Sequence, residues 1–453
     1  MKEFSFWLIT DTHFFKNSLG ARGEGYNEFM TMEQKCFAET ETIDRAVISF
    51  LMEDRSADTV LIAGDLSFNG ERESHEEFSK LLGQLKESGK KIYVVTAGHD
   101  CAPHPFCFPG TAQKQPAEGV KFDELLDYYH DFGYDQAIAF NREHLSYVAQ
   151  LSEGVRLLVL CNDTAQGRAL EYDDEFYGWI IEQCQQAKQD GQLMLAMEHY
   201  PVIAGQPVLQ LIGDARQKGA RRLIDTLADN GVHLIFTGHM HNQSINLEHS
   251  TNGSKFYDVC TGSAIGCPAF MRLCTVKDEK TVEIKSRPIP DFEWDTGGKS
   301  CAEYMQSVFD AMINTCITGL RDNPARTLRK LGVKGVENKK ALLKLVGKVG
   351  KFLNEATVGR ICRVLCIKCE PEIKNDLFLP LASDLARYTF CGDQPYTDQT
   401  PQGKTLLRAF KRFNFLSKKL HGSQGETVDL YEMLKHTAGN YGISDYNATL
   451  TLE

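Results

Sequence analysis

Phe4-Ser5-Phe6-Trp7-Leu8-Ile9-Thr10-Asp11-Thr12-His13 is the stretch whose reading decides the fold. Its first seven residues are apolar, aromatic or β-branched in all but one position, which suits a pleated, buried strand. The run then stops on Asp11-Thr12-His13, so the first strand delivers a carboxylate and an imidazole at its carboxyl end. The apolar run is too short for a signal-peptide core and lacks a small-residue cleavage site, which points to a cytoplasmic protein. Fourteen cysteines scattered along the chain at no framework-like spacing agree with reduced thiols in that compartment.

The same device recurs along the chain. Strands are predicted at Thr59–Ala63, Lys91–Thr96, Arg156–Leu160, Leu193–Met197 and His233–Thr237. Gly64-Asp65 follows the first of these and Gly98-His99-Asp100 the second. His199-Tyr200-Pro201 follows Leu193–Met197, and Gly238-His239-Met240-His241 follows His233–Thr237. Helical runs lie between them, as in Glu73–Glu87, where Phe78, Leu81, Leu82 and Leu85 repeat at helical spacing. Later strands, Lys255–Cys260, Met271–Val276 and Thr281–Ser286, come closer together. The pattern is an α/β layered domain with a mixed sheet. In such sheets the ligand crevice lies at the carboxyl ends of the strands, so five clusters from distant positions converge on one place. Carboxylate with imidazole suits Mn, Fe, Zn and related ions, and no cysteine stands at these positions to suggest a thiolate site. If the backbone stays extended, Asp11 and His13, and likewise His239 and His241, point the same way.

This ordered set, D-x-H, G-D, G-H-D, H-x-P and G-H-x-H, resembles the calcineurin-like metallophosphoesterase family, whose pattern is D-x-H, G-D, G-N-H-D/E, H-x-P and G-H-x-H, over roughly residues 4–290. Gly64-Asp65-Leu66-Ser67-Phe68-Asn69-Gly70-Glu71 also looks like the second block of its bacterial members. The resemblance implies a mixed β-sandwich flanked by helices, with two divalent metal ions at the strand ends. It implies that Asp11, His13 and His241 hold the first metal, that His199 and His239 hold the second, and that Asp65 bridges both. Two cations about 3.5–4 Å apart repel, and a shared carboxylate offsets that charge. The implied activity is hydrolysis of a phosphomonoester or phosphodiester by a metal-activated hydroxide, making the chain a phosphatase or phosphodiesterase. His99 then protonates the leaving group or contacts the phosphate, and Asp100 orients its ring.

One departure from the family pattern matters. The third block there begins Gly-Asn-His, and the Asn binds the second metal; here Gly98 stands in its place and offers no side-chain ligand. Asp65, His199 and His239 remain, so weaker binding of the second metal is expected rather than its loss. Asn162 or Asp163, after the fourth strand, are candidate substitutes.

The rest of the chain bounds these readings. Of 453 residues, 42% are hydrophobic and 25% charged, as in a soluble globular protein of two or three domains. No apolar run is long enough to span a bilayer. Lys and Arg number 50 against 61 Asp and Glu, for a net charge of −11, which disfavours nucleic acid as a partner. Charge is uneven: residues 301–453 hold 22 basic against 16 acidic side chains, and residues 1–300 hold 28 against 45. Breakers at Arg287-Pro288-Ile289-Pro290 and Asp295-Thr296-Gly297-Gly298 divide a phosphoesterase domain, 1–290, from a smaller, mainly helical one, 300–453. There Ala302–Thr318, Asn338–Leu353 and Lys404–Leu420 read as helices. Between Lys339 and Leu353, Leu342, Leu345, Val346, Val349 and Leu353 form an apolar stripe beside lysines, expected to pack on the acidic domain. The helical part then covers, braces or dimerises the catalytic one. Cys362, Cys366 and Cys369 are expected to be buried thiols, and His75, His104 and His130 surface residues. The alternative function is a non-catalytic scaffold of the same fold that binds a partner through its helical domain. An amidohydrolase-like hydrolase also uses H-x-H, but early in the chain, whereas here D-x-H comes first and H-x-H last.

Overall fold

The computed structural model describes residues 1–453 except 165–166, 169–170, 212–214, 331–334, 336–338, 416–428 and 437–442. Its principal strands are β1 (Phe4–Ile9), β2 (Thr59–Ala63), β3 (Lys91–Val95), β4 (Ala137–Asn141), β5 (Ser146–Ser152), β6 (Val155–Leu160), β7 (Leu193–Glu198), β8 (Leu234–Thr237), β9 (Ser244–His249), β10 (Lys255–Cys260), β11 (Phe270–Asp278), β12 (Thr281–Pro288) and β13 (Asn447–Thr451). They form a six-stranded sheet in the order β13-β12-β11-β1-β2-β3 and a seven-stranded sheet in the order β9-β10-β8-β7-β6-β5-β4. Both are mixed: β1, β2 and β3 run parallel, as do β6, β7, β8 and β10, and antiparallel strands finish each sheet.

The central strands are apolar on both faces because each sheet is covered on both sides. In β2 all five residues are buried, and in β1 Phe6, Trp7, Leu8 and Ile9 are. The sheets meet face to face, with Phe6 of β1 edge-on to Phe236 of β8 at 5.4 Å between ring centres. Helices close the outer faces. Among them α1 (Thr40–Glu53) buries Ile43, Val47, Ile48 and Leu51, and α2 (Arg72–Glu87) buries Phe78, Leu81, Leu82 and Leu85. Each such side chain contributes about 1.5–3 kcal/mol on leaving water. The layered architecture read from the strand and helix pattern is therefore the one observed.

After β12 the chain is mainly helical: α3 (Cys301–Asp322), α4 (Lys340–Glu355), α5 (Phe378–Cys391) and α6 (Pro401–Phe413). A reciprocal cap starts α3, where Ser300 Oγ accepts from Glu303 N and Glu303 accepts from Ser300 N. The stripe on α4 does not pack as expected. Leu342, Leu345 and Val349 are 39%, 58% and 47% exposed, because α4 turns its glycine face inward. A Cβ on Gly350 would lie 2.6 Å from Arg321 N and Leu320 C at the end of α3, so only glycine permits that approach. Of the three neighbouring cysteines Cys362 alone is buried; Cys366 is exposed just past a helix end. The helix expected at Lys404–Leu420 spans Pro401–Phe413, and residues 416–420 lie outside the described set.

The last strand was not anticipated. β13 returns to the first sheet and pairs antiparallel with β12, Thr281 opposite Thr451. Arg272, fully buried in β11, anchors this return. Its guanidinium donates to Thr261 Oγ1, Ser286 Oγ and the carbonyls of Ser244, Cys260 and Asp445. A cation so deeply buried is tolerated because its donors are matched by oxygens.

Candidate metal centre

The carboxyl ends of the parallel strands in both sheets meet at one edge. Asp11 and His13 follow β1, Asp65 follows β2, His99 follows β3, His199 follows β7, and His239 and His241 follow β8. Three groups with ligand spacing result among the described residues: Asp11 with His13 and His241; Asp65 with His199 and His239; and His13 with Asp65 and His99. All six side chains expected to hold metals are thus brought together.

The local backbone differs from the extended form anticipated for D-x-H and H-x-H. Asp11, His13, Asp65, His239 and His241 all adopt positive φ, between 43° and 66°. Such left-handed residues cost about 1–3 kcal/mol each and persist where the surroundings over-determine them. Here they lie just past β1, β2 and β8, where the chain leaves the strand and presents these side chains to the shared edge. Two glycines make room. Gly64 has φ +91°, and a Cβ there would lie 2.5 Å from His199 Nδ1. At Gly238 a Cβ would lie 2.4 Å from Asp11 Oδ2.

Distances between donors are short. Asp65 Oδ2 is 3.0 Å from His199 Nε2 and 3.7 Å from His13 Nε2. Asp11 Oδ1 is 3.2 Å from His241 Nε2 and 3.6 Å from His13 Nε2. The remaining oxygens are fixed: Asp11 Oδ2 accepts from Thr10 Oγ1 and His239 N, and Asp65 Oδ1 accepts from His99 N. His199 donates Nδ1–H to Ala63 O at 2.8 Å, which turns Nε2 toward the carboxylates. Asp11 Oδ1 and His199 Nε2, which face this cluster, are buried without a hydrogen-bond partner. Buried polar atoms left this way are costly, and a coordinated cation is the group that would satisfy oxygen and nitrogen donors so arranged.

The electrostatics agree. Burial pushes Asp11 upward, yet the imidazoles of His241 and His199 hold its carboxyl well below the usual range. Burial is likewise outweighed at Asp65, where His199 and His99 hold the carboxyl down. Burial alone would lower His199, but Asp65 and Asp11 push it up to about 10. A cation bound through this imidazole would have to displace that proton, so loading would release protons and strengthen with pH. His13 and His99 are lowered, first by burial and further by Lys35.

His99 and Asp100 part company in the structure. His99 Nδ1 lies 2.5 Å from the carbonyl of Phe68, which orients the ring and leaves Nε2 for the site. Asp100, expected to orient that ring, instead accepts from the amides of Ser67 and Ala97, each at 2.8 Å, and is pushed up to about 8, chiefly by burial. It joins the loops after β2 and β3. His75 is fully buried rather than at the surface, with Nε2 donating to Asp100 O and Nδ1 facing Tyr129 Oη. His104 and His130 are exposed. Of the two candidate substitutes for the missing ligand, Asp163 joins no metal-spaced group among the described residues and lies beside Cys101 and Cys161, while Asn162 is buried next to Glu198.

Sequence reading missed the segment 33–36. Gln34 Nε2 lies 2.5 Å from His241 Nδ1. Lys35 is buried, with its ammonium 4.8 Å from the centre of the Phe68 ring and 3.7 Å from Glu33 Oε1. Cys36 N bonds Ile265 O, which holds the segment against the chain after β10. The helical region braces it from outside: Tyr304 of α3 bonds Glu39, and Cys316 Sγ lies 3.6 Å from Met32 Sδ. Nothing in the local pattern marks Lys35, because its approach to His13 and His99 is tertiary.

The family described as calcineurin-like phosphoesterase matches residues 4–243. No curated protein matches. Among solved structures, a dimetal phosphatase from Danio rerio is 12% identical, with 63% of this chain and 96% of that one covered and a TM-score of 0.46. A purple acid phosphatase from yellow lupin (Lupinus luteus) is 15% identical, with 64% and 52% covered and a TM-score of 0.43. An NAD nucleotidase from Haemophilus influenzae is 11% identical, with 80% and 70% covered and a TM-score of 0.35. With more than half of its length matched and the ordered motifs in place, the chain belongs to the calcineurin-like phosphoesterase family.

Proposed function

We propose that this chain is a two-metal hydrolase of phosphate esters, with Asp11, His13 and His241 holding one divalent cation, His199 and His239 the other, and Asp65 between them. The observation that carries the reading is the position of Asp65 Oδ2, within 3.0 Å of His199 Nε2 and 3.7 Å of His13 Nε2, between the two sets of imidazoles. A bound pair of Mn, Fe or Zn ions supplies charge neutralisation at the phosphate and a water of lowered pKa. The protein's own residues do the rest. Asp65 and Asp11 offset the cations' charge. Lys35 adds positive charge beside His13 and His99, where an anionic substrate enters. His99 keeps its Nδ1 proton on the Phe68 carbonyl, so Nε2 is the atom that meets the substrate. There it would take a proton from solvent water as the phosphate's charge raises the ring, and pass it to the departing alkoxide as a water-derived oxygen bonds to phosphorus and the ester P–O bond breaks. No helix of the described residues is long and apolar enough to cross a membrane.

The test is a panel of mono- and diesters assayed with Mn²⁺, Fe²⁺ and Zn²⁺, alongside metal content by mass spectrometry. Two metals per chain and turnover abolished in Asp65→Ala support the hydrolase. A folded protein with neither metal nor turnover is the scaffold. His99→Ala is expected to slow esters with poor leaving groups more than activated ones; equal losses remove its role as proton donor.

A further inference from the structure

The residue that should face the second cation from the third loop is missing, and the space it leaves is filled from another strand. A Cβ built on Gly98 would lie 2.8 Å from the phenolic oxygen of Tyr200, with no other atom within 4 Å. Tyr200 is only 3% exposed. Its ring lies 4.4 Å from that of His239 and 5.0 Å from that of His199, the two imidazoles assigned to this cation. The loop it reaches is itself tied to the bridging carboxylate, since the amide of His99, next to Gly98, donates to Asp65 Oδ1 at 3.1 Å. The phenol therefore enters where a side chain at 98 would begin, on the wall of the Asp65, His199 and His239 group.

We propose that Tyr200 completes the second metal position, its phenolic oxygen supplying the donor that Gly98 lacks. Glycine at 98 and tyrosine at 200 are then one exchange: the small residue admits the large one, and the oxygen arrives from the loop after β7 rather than the loop after β3. Three protein donors leave a cation incompletely held, and a fourth oxygen suits the same hard and borderline ions that carboxylate and imidazole suit. The assignment rests on the two-metal reading above. An asparagine at 98 alone would not restore the family's ligand, because its Cβ would lie 2.8 Å from the phenol oxygen.

The experiment measures metal rather than turnover. Mn²⁺ and Zn²⁺ are titrated by calorimetry into metal-free wild type, Tyr200→Phe and the pair Gly98→Asn with Tyr200→Ala, with stoichiometry checked by mass spectrometry. Tyr200→Phe keeps the ring and removes only the oxygen. The expected result is an unchanged first site and a second site weakened about tenfold to a hundredfold, in the range seen when groups that tune a metal are removed. The double variant, which gives an asparagine room to reach the cation, should recover a second site tighter than that of Tyr200→Phe. A Tyr200→Phe protein that binds two ions as tightly as wild type overturns the assignment and reduces Tyr200 to packing. As long as wild type binds two ions, that result leaves the proposed function standing; a wild type that binds none sinks both.

Discussion

Gly64→Ala is the sharpest probe of how the backbone shapes the metal centre. The new Cβ would stand 2.5 Å from His199 Nδ1 and 2.7 Å from its Cγ. Ordinary contact begins at 3.4 Å, so the imidazole must retreat by about 0.9 Å, and misplacements near 1 Å can cost on the order of a hundredfold in rate. That retreat stretches the 2.8 Å bond from Nδ1 to Ala63 O and draws Nε2 away from Asp65. Positive φ for an alanine adds about 1–3 kcal/mol of strain, and the weakened hydrogen bond about 1 more. Gly89→Ala separates the two effects, since Gly89 has φ +99° and nothing within 4 Å of its Cβ. Both variants should lose comparable stability to backbone strain in urea titrations. Gly64→Ala alone should also lose metal and about a hundredfold in turnover of a chromogenic phosphate ester. Equal metal content and turnover in the two variants would refute the claim that glycine at 64 exists to admit His199.

Other outcomes follow from the same geometry. Arg272→Met should lower unfolding free energy by about 3–5 kcal/mol, because it strands buried carbonyls of Ser244, Cys260 and Asp445; an unchanged urea midpoint would remove Arg272 as the anchor of the C-terminal return. Lys35→Met should raise KM for a phosphomonoester by roughly 10–100-fold, the loss of one charge-assisted contact, with a smaller effect on kcat; a change confined to kcat would place Lys35 elsewhere in the reaction. Glu71 is pushed up to about 7, chiefly by burial. A carboxyl raised on folding contributes stability that is complete below its unfolded pKa and lost as pH rises through the folded one. Wild type should therefore lose about 3 kcal/mol on this account between pH 4.5 and about 8, and Glu71→Gln should flatten that slope. Parallel curves for the two proteins would contradict it.

The convergence of the candidate ligands was legible because metal chemistry restricts residue type, and because a sheet's parallel strands deliver their carboxyl ends to one edge. Asp11, Asp65, His199 and His239 needed only that topology. What escaped was set by tertiary approach. Lys35 reaches the site through a loop pinned to Ile265, and Tyr200 has meaning only beside Gly98. The left-handed turns at Asp11 and His13 also escaped, since a three-residue pattern is compatible with extended chain until the surrounding loops force it over. β13 was invisible for a plainer reason: of Asn447-Ala448-Thr449-Leu450-Thr451 only Leu450 is buried, so the alternation has one inward residue to show. On α4 the apolar periodicity was real, but Gly350 chose the contact face.

The pairing of β12 with β13 bears on how a cell makes this protein. A ribosome releases β12 well before the residues that cover its outer edge, and at about 5–20 residues per second the wait is roughly 8–30 s. Throughout it the nascent sheet offers a row of unsatisfied amides and carbonyls to any passing strand. Slow codons between β12 and β13 would lengthen that exposure.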